Sequence, residues 1–411
     1  MSRRVAWLLG LSTFATLGAL FLAELALALS GDPPRLHAQL ANPPNYSMEV
    51  DNVEFRYHWE SNSQGLRYRE VPLRKPTGLR RVFVVGDSVT AGEGVEADRR
   101  FTELLEGVDQ PSAPGGVEWI NGGLGGQGVL QYARLFHWVG TRYRPDALLI
   151  CVNANDLADS DPESHPGQIY DVAIEPSAGP ARGFHALWPR IWGRWHRARA
   201  ELAPQVPDSW DLERFDPDAV IALARAQRIP EPRIREWRQS LPDTWVREAS
   251  QGRIYAYLLS WGLLRPDFYV LAHDVAGATA ERRWDAMRAV LSELVRDARA
   301  RDVAVAMVFV PGPYLYDASL YLPDARAPFH SLGGRVRREW TRERCEIQRR
   351  LAAFAGESDV PLLDLTESFR AAAAAGERLN FPIDGHWNEA GHRLAADRLA
   401  RWLRERDPFG W

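Results

Sequence analysis

The chain is poor in cysteine, has no surplus of basic residues and shows no internal period. Its 411 residues contain only two cysteines, Cys151 and Cys345, with neither a CxxC pair nor a Cys/His spacing suited to a structural zinc site. Cys151 lies inside the apolar run "ALLICV" and is expected as a buried free thiol. A Cys151–Cys345 disulfide is the alternative, open only if the two backbones approach closely. A net charge of −4 and a pI near 6.2 leave no basic excess to displace counterions from phosphates, which argues against a nucleic-acid partner. The 16 tryptophans are scattered rather than evenly spaced, so no solenoid or propeller is implied.

What the chain does have begins at its N-terminus. Arg3 and Arg4 precede an apolar run over residues 5–29 that is broken by one charge, Glu24. A bilayer needs about 20 apolar residues, and a basic flank keeps its own end cytoplasmic. The expectation is an uncleaved signal anchor over 1–31 with the remainder exported. Cleavage after "ALA" at 26–28 is the alternative, releasing the chain to the periplasm.

Residues 32–79 are rich in Pro, Asn and Ser near their start and read as a linker and lead-in. From residue 80 to 411, short β-type runs alternate with helical patterns. The strands are expected at 81–85, 117–121, 147–152, 303–311 and 360–365, with helices near 97–107, 128–143, 281–301, 336–355 and 389–405. Unbroken apolar strands suit a parallel sheet covered on both faces, so an α/β domain with a central five-stranded parallel sheet is expected. Residues 160–280 interrupt this rhythm and read as a mostly helical, tryptophan-rich insertion. Within it Trp188, Trp192 and Trp195 share one helical face, for packing or for a wet interface.

Polar residues gather where these strands end: "GDS" 86–88, "NGGLGGQG" 121–128 and "NAND" 153–156. In a sheet of strand order 2-1-3-4-5 all three loops meet at the switch point, where such sheets bind ligands. "DGHWN" 384–388 precedes the last helix and holds Asp384 and His386 two residues apart, with Asn388 as the expected N-cap. A serine nucleophile needs a base, and the base needs a partner that fixes its tautomer. Ser88, His386 and Asp384 supply that set. Asp87 is expected to organise the loop, and no cofactor or metal is called for. A metal reading through Asp384, His386 and His392 lacks further ligands, and Ser88 lacks the Gly-x-Ser-x-Gly elbow of α/β-hydrolases.

In this order and at these separations, "GDSVTAGEG", "NGGLGG", "NAND" and "DGHWN" resemble the blocks of the SGNH (GDSL) hydrolase family. The resemblance covers roughly residues 80–160 and 285–405, and the lead-in "NSQGLRYRE" resembles membrane-anchored bacterial members. It implies a flavodoxin-like α/β/α fold, Ser88 as nucleophile, His386 as base and Asp384 as its partner. It also implies an oxyanion hole from the N–H groups of Ser88 and Gly126 and the amide of Asn155. Two departures stand out: Asn153-Ala154 replaces the usual Gly-x before Asn155, and Asp-x-His replaces Asp-x-x-His. The Asp384-Gly385-His386-Trp387 form is similar to the block of alginate-type O-acetyltransferases. The expected activity is therefore a serine esterase acting outside the cytoplasm on a small acyl ester or an O-acylated glycan. An envelope-polysaccharide O-acyltransferase and a catalytically silent scaffold are the alternatives. The acyl group, the alcohol and the oligomeric state are left open.

Overall fold

The apolar run beyond Arg3 and Arg4 folds as helix α1 (Arg3–Leu29). A computed structural model of the chain describes residues 3–29, 40–107, 115–158, 187–188, 190–191, 214–322 and 325–411. Among the described residues no helix is long and apolar enough to cross a membrane, so the expected transmembrane anchor finds no support there. The side chains of residues 3–11, 13, 14 and 28 lie outside that description. Glu24, the one charge in the run, accepts hydrogen bonds from the backbone N–H groups of Arg190 at 2.9 Å and Ile191 at 3.0 Å. Residues Met1–Gln39 and Asp171–Val206 form one unit, and Leu40–Tyr170 with Pro207–Trp411 form a second. This departs from the expected division at residues 31 and 79, because part of the expected insertion groups with the N-terminal helix. Of the three tryptophans at helical spacing, Trp192 and Trp195 lie outside the described residues.

The second unit begins within the expected linker. Residues there form an antiparallel hairpin of β1 (Ser47–Asp51) and β2 (Arg56–Glu60). The central sheet comes next, with β3 (Arg80–Gly86), β4 (Val117–Gly123), β5 (Ala147–Asn153), β6 (Ala304–Val310) and β7 (Leu362–Asp364). Its spatial order is β4-β3-β5-β6-β7, parallel throughout, so the five strands take the order 2-1-3-4-5.

Strand residues alternate between two cores, because successive side chains leave opposite faces. Phe83, Val85, Leu148, Ile150, Met307 and Phe309 point to one side. There they meet α2 (Val129–Trp138), α3 (Gly277–Arg299) and α4 (Glu346–Glu357), through Phe136, Met287 and Leu351. Val82, Val84, Leu149, Cys151, Ala306 and Val308 point to the other side. Their partners are the helices 101–106 and 366–374 and the C-terminal helix Glu389–Arg406, through Phe101, Phe369 and Leu399. The result is three layers, α/β/α. Cys151 and Cys345 are both free and buried, so the alternative disulfide is not formed.

Within the described part of the insertion, residues 217–273 are largely helical: 217–226, 231–240, 243–250, 256–264 and 268–273. They carry a small core of their own around Val220, Ile234, Trp237 and Leu259. The Trp237 indole N–H donates to the Leu259 carbonyl at 2.9 Å, which satisfies its only polar atom.

Candidate active site

Strand β3 ends at Gly86, and Asp87 then caps a single helical turn, Ser88–Ala91. The Asp87 carboxylate accepts from the Val89 N–H at 3.0 Å and is bonded by the Asn155 side chain. Burial, the largest influence, raises its pKa, while His386 and these hydrogen bonds oppose that rise. Asp87 is thus the loop organiser expected of it. The turn sits close against β4: a Cβ on Gly123 would lie 2.2 Å from the Ala91 nitrogen, so only glycine fits. Asn121 completes the arrangement by donating to the Thr90 carbonyl at 2.8 Å and to Thr102 Oγ1 at 2.9 Å.

On the far side of the site, the chain from Asn380 to Trp387 folds back on itself through an antiparallel bridge between those two residues. Gly385 sits at φ +89°, where other residues are strained. This turn carries Asp384 and His386 toward Ser88. His386 Nε2 lies 2.7 Å from Ser88 Oγ, and its Nδ1 lies 2.5 Å from Asp384 Oδ1. Asp384 Oδ1 also accepts from the His386 backbone N–H at 3.1 Å, which fixes the pair internally. The serine and histidine are 298 positions apart in sequence, yet with Asp384 they form one continuous hydrogen-bonded chain.

The imidazole is buried, which by itself disfavours its cation. The adjoining Asp384 charge and its hydrogen bond outweigh this, and Glu93 and Asp87 add to them, so the pKa rises to about 9. His386 therefore carries a proton at neutral pH in the free protein, and its basic form grows as pH rises.

Gly126 and Asn155 line the cavity that opens on Ser88. Gly126 adopts φ +66° in open space, so glycine is needed there for backbone conformation and not for close packing. Asn155 starts the turn after β5, held by Asp156, whose carboxylate accepts from the Asn153 N–H at 3.0 Å and the Tyr132 hydroxyl at 2.7 Å. The replacement of glycine by Asn153 leaves this turn intact. All five residues singled out in the sequence, Ser88, Gly126, Asn155, Asp384 and His386, border one cavity of about 470 Å³. His392 does not: its ring lies buried between Phe101 and Trp387, and burial lowers its pKa to about 3. Among the described residues no group of three or more His, Cys, Asp or Glu converges as metal ligands would.

Four contributors left no local signal. Glu54, at the tip of the β1–β2 hairpin, accepts from the backbone N–H groups of Ile383 and Asp384. Arg67 is buried in the lead-in and donates to the carbonyls of Ala91, Gly92 and Val95. Glu93, inside the motif that contains Ser88, accepts from the hydroxyl of Tyr255, which belongs to the insertion. The insertion also supplies much of the cavity wall, including Tyr257 and Trp261. The stretches "NSQGLRYRE" and "GDSVTAGEG" hold Arg67 and Glu93, but nothing in either indicates what these side chains reach.

No protein-family model and no curated protein matches the chain. Solved structures align at low identity. A protein described as lipolytic and of the G-D-S-L family from Desulfitobacterium hafniense is 11% identical, covering 78% of this chain and 98% of its own, with a TM-score of 0.35. A lipase/acylhydrolase from Enterococcus faecalis is 12% identical over 80% and 96%, with a TM-score of 0.34. An acetyl xylan esterase is 12% identical over 79% and 99%, also at 0.34. Likenesses this distant do not identify the reaction.

Proposed function

We propose that the chain is a serine esterase that cleaves an acyl ester through Ser88, His386 and Asp384. The observation that carries this reading is the unbroken run from Ser88 Oγ to His386 Nε2 at 2.7 Å and from His386 Nδ1 to Asp384 Oδ1 at 2.5 Å. As Ser88 Oγ bonds to the ester carbonyl carbon, its proton passes to His386 Nε2, and the carbonyl oxygen takes up the negative charge. The N–H groups of Ser88 and Gly126 and the Asn155 amide are the donors for that charge, each contributing about 3–4 kcal/mol. When the tetrahedral adduct collapses, the alcohol leaves with the proton from His386. Water then repeats the sequence on the acyl-enzyme and releases the acid. Asp384 accepts from Nδ1–H throughout, which fixes the neutral tautomer and supports the imidazolium that forms.

Ser88→Ala and His386→Ala each lower kcat for a short-chain aryl ester by about 10⁴-fold or more. A fluorophosphonate probe labels Ser88 in the parent protein and not in Ser88→Ala. An unlabelled Ser88 in folded protein returns the chain to the scaffold reading. Transfer to a sugar hydroxyl shares every step up to the acyl-enzyme. Its motif residue, Trp387, is 1% exposed, stacks on Phe369 and donates to the Pro311 carbonyl, so it supports the loop and gives no preference for a sugar acceptor. Following the acyl group of a donor with and without an added glycan separates transfer from hydrolysis.

The basic flank at Arg3 and Arg4 and the apolar run after it support an extracytoplasmic domain held at the membrane. Protease added to intact spheroplasts then digests residues 40–411, and full protection contradicts that location.

A further inference from the structure

The cavity beside Ser88 has two dissimilar ends. Its carboxylate and amide side chains, Asp87, Glu93, Asn153, Asn155, Asn380 and Asp384, come from the ends of β3 and β5 and from the segment that carries His386. The insertion contributes rings and aliphatic groups instead, with one buried histidine, His273, that burial holds neutral with a pKa of about 4. The rings form a continuous wall. Tyr255 stacks on Tyr257 at 5.8 Å, Tyr257 meets Trp261 at 5.0 Å and Trp261 meets Phe268 at 4.6 Å. Tyr269 and Phe329 continue it at 4.8 Å.

The charge around this wall has one predominant sign. Among the described residues no Lys or Arg lines the cavity, whereas three carboxylates do; of its two histidines, His273 is held neutral by burial and His386 is already engaged by Asp384. Asp384 Oδ2 is buried with no hydrogen-bond partner among the described residues. The field reaches the rings: after burial, Glu93 and Asp384 are among the groups that raise the Tyr255 and Tyr257 pKa values. Arg265 stacks outside the cavity on Trp261 at 5.5 Å, using the same ring chemistry. Aromatic faces in a negative field attract cations, and most effectively those with a weakly hydrated alkylated ammonium.

We propose that this cavity binds an ester bearing an alkylammonium group, with the cation against the Tyr257 and Trp261 rings beside Glu93 and the ester carbonyl at Ser88. The hydrolysis part rests on the esterase reading; the binding part does not. Choline and 3,3-dimethylbutan-1-ol have the same shape and differ in charge, so calorimetric titration of both into the Ser88→Ala protein tests binding without turnover. Choline binds about tenfold or more tightly than the neutral alcohol, and Glu93→Gln and Trp261→Leu each shrink that ratio at least about fivefold. Equal binding by the folded Ser88→Ala protein overturns the proposal, whatever the other two variants do. In the parent protein, acetylcholine is cleaved with a kcat/KM about tenfold or more above that of 3,3-dimethylbutyl acetate. Equal cleavage of the two esters likewise overturns it. If choline is preferred in binding but neither ester is cleaved and the fluorophosphonate leaves Ser88 unlabelled, the esterase reading fails and the cation site stands.

Discussion

The Glu54 carboxylate accepts the backbone N–H of Asp384 at 2.7 Å and that of Ile383 at 2.9 Å, across 330 residues of sequence. The tip of the lead-in hairpin therefore holds the turn that presents Asp384 and His386. Charge-assisted bonds of this kind contribute about 1.5–3 kcal/mol each. Glu54→Ala leaves both N–H groups without their acceptor and lets the turn shift. A displacement near 1 Å costs up to about 10²-fold in rate, so kcat falls about 10–100-fold while KM changes less than about threefold. Glu54→Gln keeps one acceptor oxygen and recovers part of the loss. Steady-state kinetics on both variants check this, and an unchanged kcat in Glu54→Ala shows that the turn holds itself.

The raised pKa of His386, about 9, sets the pH dependence. The base must be unprotonated to accept the Ser88 proton, so kcat/KM rises with pH and levels off above pH 9. Glu93→Gln removes one of the charges that favours the imidazolium and moves the midpoint down. Stability runs the opposite way. A histidine whose folded pKa exceeds its unfolded value of about 6.5 stabilises fully below that value and loses the contribution as pH rises through the folded pKa. The melting temperature of the parent protein therefore falls between pH 7 and pH 10 more steeply than that of Asp384→Asn. A kcat/KM midpoint at the ordinary histidine value of about 6.5 contradicts a cation held by Asp384, Glu93 and Asp87.

The sheet and the Ser88–His386–Asp384 set were legible for a physical reason. Parallel strands buried on both faces are continuous apolar runs such as "ALLICV", and the loops at their carboxyl ends must face the switch point. β7 is shorter than the run at 360–365, since Leu365 already precedes the helix that begins at Thr366. The hairpin at 47–60 was illegible because β1 is mostly exposed and β2, where Tyr57 and Trp59 alternate with exposed residues, is only five residues long. Glu54 accepts from backbone N–H groups and Arg67 donates to backbone carbonyls of distant loops, and backbone partners leave no trace in residue identity. Tyr255 and Tyr257 reach the cavity through the placement of the insertion, which no local spacing encodes.

Asn155 lines the cavity with its amide steered by the Asp87 carboxylate. As an oxyanion donor it acts on charge that exists only in the transition state, so its loss lowers kcat and kcat/KM together and leaves KM nearly unchanged. Asn155→Ala therefore reduces kcat by about 10²–10³-fold. Asn155→Asp does at least as much damage, because a second carboxylate beside Asp87 repels the oxyanion. Kinetics on variants with parent-like melting curves check this. A loss of kcat below about threefold removes Asn155 from the oxyanion hole.

Arg67 is 2% exposed, and it binds the carbonyls of Ala91 at 2.7 Å, Gly92 at 2.6 Å and Val95 at 2.8 Å. Its guanidinium also lies 4.6 Å from the centre of the Tyr57 ring. These carbonyls belong to the segment that leaves Ser88 and carries Glu93, so one side chain sets the path of both. Arg67→Met keeps much of the volume but supplies no donor, leaving three carbonyls short at about 1 kcal/mol or more each. The expected loss is about 3 kcal/mol or more, read from urea unfolding. Arg67→Lys restores a charge but not the planar fork, and a single ammonium does not span the three acceptors, so it recovers less than half. Because the segment also positions Ser88, both variants lose activity at temperatures where they remain folded. Full activity in folded Arg67→Met shows instead that Asp87 and Asn121 hold the nucleophile turn without help from the lead-in.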